Sequence, residues 1–186
     1  MPSGKKVAVL AEDDQQVRQF METFLKMSGY EVHSFDNGIT AFGKLRDLRI
    51  AGTPADLLLT DNDMPGTDQG ANLVEQWRKE EKNNTALPST PIVMMSGNTI
   101  SKAGTNLTDI AAQNSAVFRP KPLSPAALPQ AIQEAEALAS GLTKALQSSQ
   151  GPTSAPNPPG TPSPKWAANE TPGIRLKSDR PTSPSL

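Results

Sequence analysis

The sequence predicts an α/β domain built as a doubly wound parallel sheet of five strands in (βα)5 order, followed by a disordered C-terminal tail. Five short apolar runs alternate with five helix-like stretches, which is the pattern of strands joined by crossover helices. The central runs are apolar almost throughout, as strands covered on both faces require. Nine of the 18 prolines lie in the last 37 of 186 residues, so the tail separates from the rest by composition.

Val7–Leu10 is the first apolar run and ends at Glu12, Asp13 and Asp14. Val17, Phe20, Phe24 and Met27 then recur at helical spacing until Ser28-Gly29 stops the pattern, predicting strand, acidic turn and helix. Tyr30–Phe35 reads as the second strand and Asn37-Gly38 as a turn. Ala41, Phe42, Leu45 and Leu48 mark one face of a second helix before Gly52-Thr53-Pro54. Asp56–Thr60 is the third strand, closed by Asp61.

A helix over about 71–81 carries Leu73, Val74 and Trp77, and Pro91–Met95 is the fourth strand, ending at Ser96-Gly97. The stretch that follows is poorly patterned, with Leu107, Ile110 and Ala111 as its buried face. Ala116–Arg119 is the fifth strand. Leu128, Ile132, Ala135, Leu138 and Leu142 define a last helix over about 124–146. From Gln150 the chain has almost no apolar periodicity and repeated prolines that remove backbone donors, so it cannot build a core. The domain is therefore expected over 1–147 and the tail over 148–186. Four Ser/Thr-Pro pairs in that tail offer phosphate acceptors or ligands for proline-reading modules, and solubilisation is the plainer reading.

With no cysteine and one histidine, His33, the chain excludes disulfides, Cys-ligated zinc, iron–sulfur clusters, a thiol nucleophile and any multi-histidine metal centre. A metal here must take oxygen ligands. Eighteen basic residues balance 19 acidic ones, 14 against 17 before Gln150 and 4 against 2 after it, so neither segment has the positive field of a nucleic-acid binder. No apolar run approaches a membrane span or a secretory signal, and a soluble cytoplasmic protein is expected.

Working crevices of open parallel sheets lie at the carboxyl ends of the strands. Glu12 and Asp13 follow the first strand, Asp61 ends the third, Ser96 follows the fourth and Lys121 lies just past the fifth. Adjacent central strands would bring these groups into one shallow pocket. Three neighbouring carboxylates repel unless protons or a cation intervene, and Mg²⁺, a hard oxygen-preferring ion for which Mn²⁺ can substitute, suits them. Asp13 and Asp61 are the expected direct ligands, the carbonyl of Asp63 a third, and Glu12 acts through water or at longer reach. Asp61 then keeps an oxygen free to attack a phosphoryl group while the metal and Lys121 neutralise its charge. Ser96 is placed to donate its hydroxyl to the phosphoryl oxygen, and the small Gly97 keeps access open.

These residues give the chain a plain resemblance to response-regulator receiver domains over about residues 5–145. An acidic pair follows the first strand (Glu12-Asp13 in LAEDD) and the phosphoacceptor opens a D-x-x-M-P-G motif (Asp61 in DNDMPG). The hydroxyl residue after the fourth strand is Ser96 in PIVMMSG, the switch aromatic is Phe118, and the Lys-Pro pair is Lys121-Pro122 in FRPKPL. The resemblance implies a flavodoxin-like fold and Mg²⁺-dependent transfer of phosphate to Asp61 from a phosphohistidine on a histidine kinase or histidine phosphotransfer protein. It further implies autodephosphorylation tuned by Asp63 and Asn98, a cis bond before Pro122, and a switch that presents the face from the fourth to the fifth helix to a downstream protein. It makes the chain a signalling switch or relay rather than a conventional enzyme, with no membrane or nucleic-acid partner.

Departures from the family pattern fall outside the reacting groups. Gln69 stands where glycine is usual eight residues past the phosphoacceptor, with Gly70 next. Asn114-Ser115 replaces the usual Gly-Ala, Leu123 stands where phenylalanine is common, and EEKNNTALPSTP lengthens the approach to the fourth strand. Two other function classes remain open on sequence: a phosphorylation-independent binding module that keeps this fold, and a Mg²⁺-dependent phosphatase or phosphotransferase acting on small substrates.

Overall fold

A computed structural model describes residues 4–66 and 69–149. The expected tail from Gln150 onward lies outside the described residues. In chain order the elements are β1 (Lys6–Ala11), α1 (Gln15–Met27), β2 (Tyr30–Phe35), α2 (Gly38–Ile50) and β3 (Leu57–Asp61). They continue through α3 (Gln69–Asn83), β4 (Ile92–Ser96), α4 (Leu107–Gln113), β5 (Val117–Pro120) and α5 (Leu128–Ser149). All strand pairs are parallel and the order is β2-β1-β3-β4-β5, the doubly wound (βα)5 sheet that the alternation predicts.

Successive strand residues face opposite sides, and each side carries its own core. Val9, Ala11, Leu58, Ile92 and Met94 pack with Phe42, Leu45, Trp77 and Ile110 from α2, α3 and α4. Ala8, Leu10, Leu57, Leu59, Val93 and Met95 pack on the other side with Met21 and Leu25 of α1 and with Leu128, Ala131 and Ala135 of α5. Phe42 and Trp77 meet edge to face at 5.9 Å.

Local chemistry sets the helix ends. Asp14 caps α1 by accepting from the N–H groups of Gln16 and Val17, Asn37 caps α2 through Thr40, and Asn106 caps α4 through Thr108. Gly29 closes α1 at φ +90°. Regular α5 starts at Leu128 rather than near Ser124: Ala127 and Leu128 N–H close a turn on the Ser124 carbonyl, but Pro129 has no N–H to give the Pro125 carbonyl, so the ladder is interrupted there. At its other end α5 reaches Ser149, two residues past the expected domain boundary.

Three further details differ from expectation. On α1 the inward residues are Met21 and Leu25, while Phe20 and Met27 of the predicted stripe are exposed. On α5 Ala131 and Ala139 are buried and Leu138 is exposed. The poorly patterned stretch before α4 folds as a small antiparallel turn, in which Ile100 bridges Asn106 and Leu107 N–H donates to the Thr99 carbonyl. That leaves α4 only seven residues long.

Candidate functional site

The site lies where β1, β3 and β4 end side by side, with the β5–α5 connection beside them. Asp61 is the last residue of β3 and its partner in register on β4 is Met95, so Ser96 follows one step beyond. Glu12 and Asp13 leave β1, and the Glu12 N–H is tied to the Phe35 carbonyl of β2. Glu12, Asp61 and Ser96 are buried, while Asp13, Asp63 and Asn98 are exposed.

Lys121 joins the acidic groups. Its ammonium stands 3.0 Å from Asp61 Oδ2 and 2.8 Å from Glu12 Oε2, and it donates to Glu12 Oε1 at 3.0 Å. Lys121 N–H donates to the Ser96 carbonyl and the Lys121-Pro122 bond is cis, so the lysine's main chain is fixed to β4. Burial pushes the carboxyl pKa values of Glu12 and Asp61 up, against the opposing pull of Lys121 and, for Asp61, of the Asp63 backbone N–H. Burial works against the charged form of Lys121 too, yet its bonds to Glu12 and Asp61 hold its pKa above the usual lysine range.

One carboxylate oxygen each from Glu12, Asp13 and Asp61 lie within 4.8 Å of one another. Asp61 Oδ1 is buried with no hydrogen-bond partner, and Glu12 Oε2 has only its charge contact with Lys121. Three hard oxygen donors around unsatisfied buried lone pairs fit a Mg²⁺-sized cation, which would supply the missing partner. These are three of the four residues expected at the metal. The fourth, Asp63, directs its carboxylate toward β4: Oδ2 accepts from the Ser96 hydroxyl at 2.7 Å and from Gly97 N–H at 2.8 Å, and Oδ1 accepts from Asn98 Nδ2 at 3.4 Å. Burial raises the Asp63 pKa, but these bonds and the charge of Lys121 together leave it lowered.

Phe118, the expected switch residue, is half-buried and packs on the α2–α4 side of the core. Gly70 accounts for the shifted glycine of the sequence. A Cβ there would meet Asp61 O at 2.3 Å and Asn62 Cα at 2.6 Å, so α3 starts directly against the main chain of the acidic strand end. Asn62 Oδ1 holds it there by accepting from Ala71 N–H. Ser115, in place of the usual glycine's neighbour, takes φ +48°, and Arg78 donates to the carbonyls of Asn114 and Ser115 that frame this turn. Beside Lys121 an open, mainly apolar groove of about 530 Å³ is lined by Val17, Phe20, Met21, Pro122 and Leu123, with Gln16 at its edge.

Sequence reasoning missed two features. One is the side-chain direction of Asp63, which no sequence signal encodes. The other is a buried charge network behind the site: Arg78 donates to Glu81 Oε2 at 2.6 Å, Thr90 N–H donates to Glu81 Oε1 at 2.6 Å, and Arg49 lies 3.9 Å from Oε1. Its signal was present, since Arg78 and Glu81 continue the Val74 and Trp77 face of α3 at helical spacing.

Compared with known proteins, the chain matches the response regulator receiver domain over residues 8–133. It is 43% identical over 63 residues to the response regulator receiver protein CpdR of Brucella abortus, covering 34% of this chain and 48% of that protein. Protein PilG of Pseudomonas aeruginosa is 34% identical over 95 residues, 50% of this chain and 61% of that one. The matches thus span about half the length of these curated relatives. Chemotaxis protein CheY4 of Vibrio cholerae superposes with a TM-score of 0.56 at 22% identity, over 71% of this chain and 99% of that structure, which establishes the shared fold.

Proposed function

The chain belongs to the response regulator receiver family, and from that premise we propose that Asp61 is its phosphoacceptor, loaded from the phosphohistidine of a histidine kinase or histidine phosphotransfer protein. The observation that carries this reading is the Lys121 ammonium 3.0 Å from Asp61 Oδ2 while Asp61 Oδ1 has no hydrogen-bond partner. Lys121 neutralises one oxygen, and the lone pairs of the other are open to the cation and to phosphorus.

An oxygen of Asp61 attacks phosphorus, the P–N bond to the donor imidazole breaks, and the imidazole leaves with its electron pair and takes a proton. The product is an acyl phosphate. Mg²⁺ held by Glu12, Asp13, Asp61 and the Asp63 carbonyl would neutralise charge on the phosphoryl oxygens. Lys121 shares that role as a fixed cation. Ser96 and Gly97 sit on the β4 side, where a hydroxyl and an N–H can bond to a phosphoryl oxygen. Asn98 and Asp63 flank the approach of hydrolytic water. Because Lys121 borders the apolar groove, a protein donor seated on Phe20, Pro122 and Leu123 would place its imidazole beside Asp61. Phe118 then reports the modification to the face running from α4 to α5, where a downstream protein binds. Among the described residues no helix is long and apolar enough to cross a membrane.

Incubation of the full chain with Mg²⁺ and acetyl phosphate or phosphoramidate tests the assignment. The expected product is an alkali-labile and hydroxylamine-labile phosphoprotein that Asp61→Asn abolishes. Acid-stable labelling, or labelling unaffected by Asp61→Asn, overturns it.

A further inference from the structure

Resting on Asp61 as the phosphoacceptor, we propose that the Asp63 carboxylate is an internal occupant of the phosphoryl-oxygen site, a gate that must swing away before the acyl phosphate can be bound. Two donors converge on a single oxygen: the Ser96 hydroxyl at 2.7 Å and Gly97 N–H at 2.8 Å both reach Asp63 Oδ2. Ser96 ends β4, the strand beside the one that Asp61 ends, and Gly97 follows it directly. Their convergence makes a small oxyanion cradle, of the kind that binds a charged tetrahedral group. A Cβ on Gly97 would only touch Asp63 Oδ2 at an ordinary 3.6 Å, so what Gly97 contributes to the cradle is its N–H.

Proton counting makes the two occupants exclusive. A serine hydroxyl has one proton and a backbone amide has one. The Ser96 oxygen already accepts from Asn98 N–H at 2.9 Å, so its proton is directed to Asp63 and its lone pair to the turn. A phosphoryl oxygen cannot take either donor while Asp63 keeps it. Hydrogen bonds to a charged acceptor are among the stronger ones, so the incoming group must displace a well-held competitor. Asp63 and the phosphoryl group are also both negative, which drives the carboxylate out once the bond to Asp61 forms. Through Asn98 Nδ2 on Oδ1 the gate reaches the β4–α4 connection, and its release frees that side chain too. Asp63 acts here as a positioning residue that governs when Ser96 and Gly97 become available.

Beryllofluoride, a stable tetrahedral phosphoryl stand-in, measures this without turnover. In the full chain with saturating Mg²⁺, Asp63→Ala is expected to tighten the beryllofluoride dissociation constant, followed by ¹⁹F NMR, by on the order of tenfold or more. Asp63→Asn, which keeps an acceptor oxygen without the charge, is expected to fall between. Lost folding cannot raise affinity, so the direction separates a gate from a structural role. In a crystal structure of the unmutated complex, Ser96 Oγ and Gly97 N are expected on fluorine and Asp63 Oδ2 beyond bonding distance. Equal or weaker binding by Asp63→Ala, or Asp63 still holding both donors in the complex, overturns the gate alone. Failure of the unmutated chain and both variants to bind beryllofluoride overturns the phosphoacceptor reading and the gate with it.

Discussion

The missing Cβ of Gly70 would lie 2.3 Å from the main-chain oxygen of Asp61, so the first turn of α3 is packed on the backbone that presents the phosphoacceptor. The obstructing atoms are backbone and cannot rotate aside. Gly70→Ala is therefore expected to destabilise the protein by about 1–3 kcal/mol, the usual cost of forcing extra volume into a packed contact. It should also slow Asp61 phosphorylation, because relief comes only by moving either α3 or the end of β3. Urea denaturation and a labelling time course check both effects. Gly43→Ala, in the middle of α2 with nothing near its Cβ, serves as the unobstructed control and is expected to gain about 0.5–1 kcal/mol from helix propensity.

The buried charges behind the site give a second prediction. Glu81 is fully buried between Arg78 and Arg49, and Arg49 also donates to the carbonyls of Pro88 and Leu87 in the lengthened stretch before β4. Removing one member leaves the others charged and unpaired. Glu81→Ala is expected to cost about 3–5 kcal/mol. In a double-mutant cycle Arg78→Ala should add much less on that background than alone, since its partner is already gone. Additive losses would mean the pair is uncoupled.

What the sequence made legible follows from physics that acts locally. The central strands are readable because LLLT and IVMM face cores on both sides, and their one polar side chain, Thr60, satisfies its hydroxyl on the Asp61 carbonyl. The acidic groups, Ser96 and Lys121 are readable because they follow directly on strand ends. α1 was readable as a helix but not by face: Val17, Phe20, Met21, Phe24, Leu25 and Met27 make an apolar band wider than the core needs, and periodicity alone cannot choose which edge turns inward. The surplus edge, at Phe20, lines the groove beside Lys121. α4 was obscured because its seven residues give too few turns for a pattern. Arg49, Arg78 and Glu81 are only half legible: helical spacing marks the face of Arg78 and Glu81, but burial of a charge depends on partners far along the chain.

Metal binding should depend steeply on pH. Burial raises the Glu12 and Asp61 carboxyl pKa values above 4.5 and 3.8, so the folded chain holds these protons more tightly than the unfolded chain. Their contribution to stability is full below those unfolded values and is lost as pH rises through the folded ones. Mg²⁺ needs the ionised forms and restores that loss. The Mg²⁺-induced increase in melting temperature is expected to be absent near pH 4 and to grow toward pH 7. At a free concentration ten times the dissociation constant it amounts to about 1.4 kcal/mol. Asp13→Asn or Glu12→Gln should flatten the response; a Mg²⁺ effect of constant size across this range would contradict the carboxylate site.

His33 offers an independent test, since it is the sole histidine and one imidazole signal reports it. It lies on β2 with its Nε2 3.6 Å from Glu31, partly buried. Burial and the positive charge of Lys44 lower its pKa below 6.5, and Glu31 offsets them only in part. The folded chain therefore binds this proton more weakly than the unfolded chain. The stability His33 contributes is present above pH 6.5 and is lost as pH falls through the depressed folded value. In ¹H NMR the imidazole Cε1 proton is expected to titrate with a midpoint below 6.5. His33→Gln should remove the dependence, so that the variant gains on the unmutated chain as pH falls from 7 to 5. A midpoint above 6.5 would mean that Glu31 outweighs both burial and Lys44, and the sign of the stability difference would then reverse.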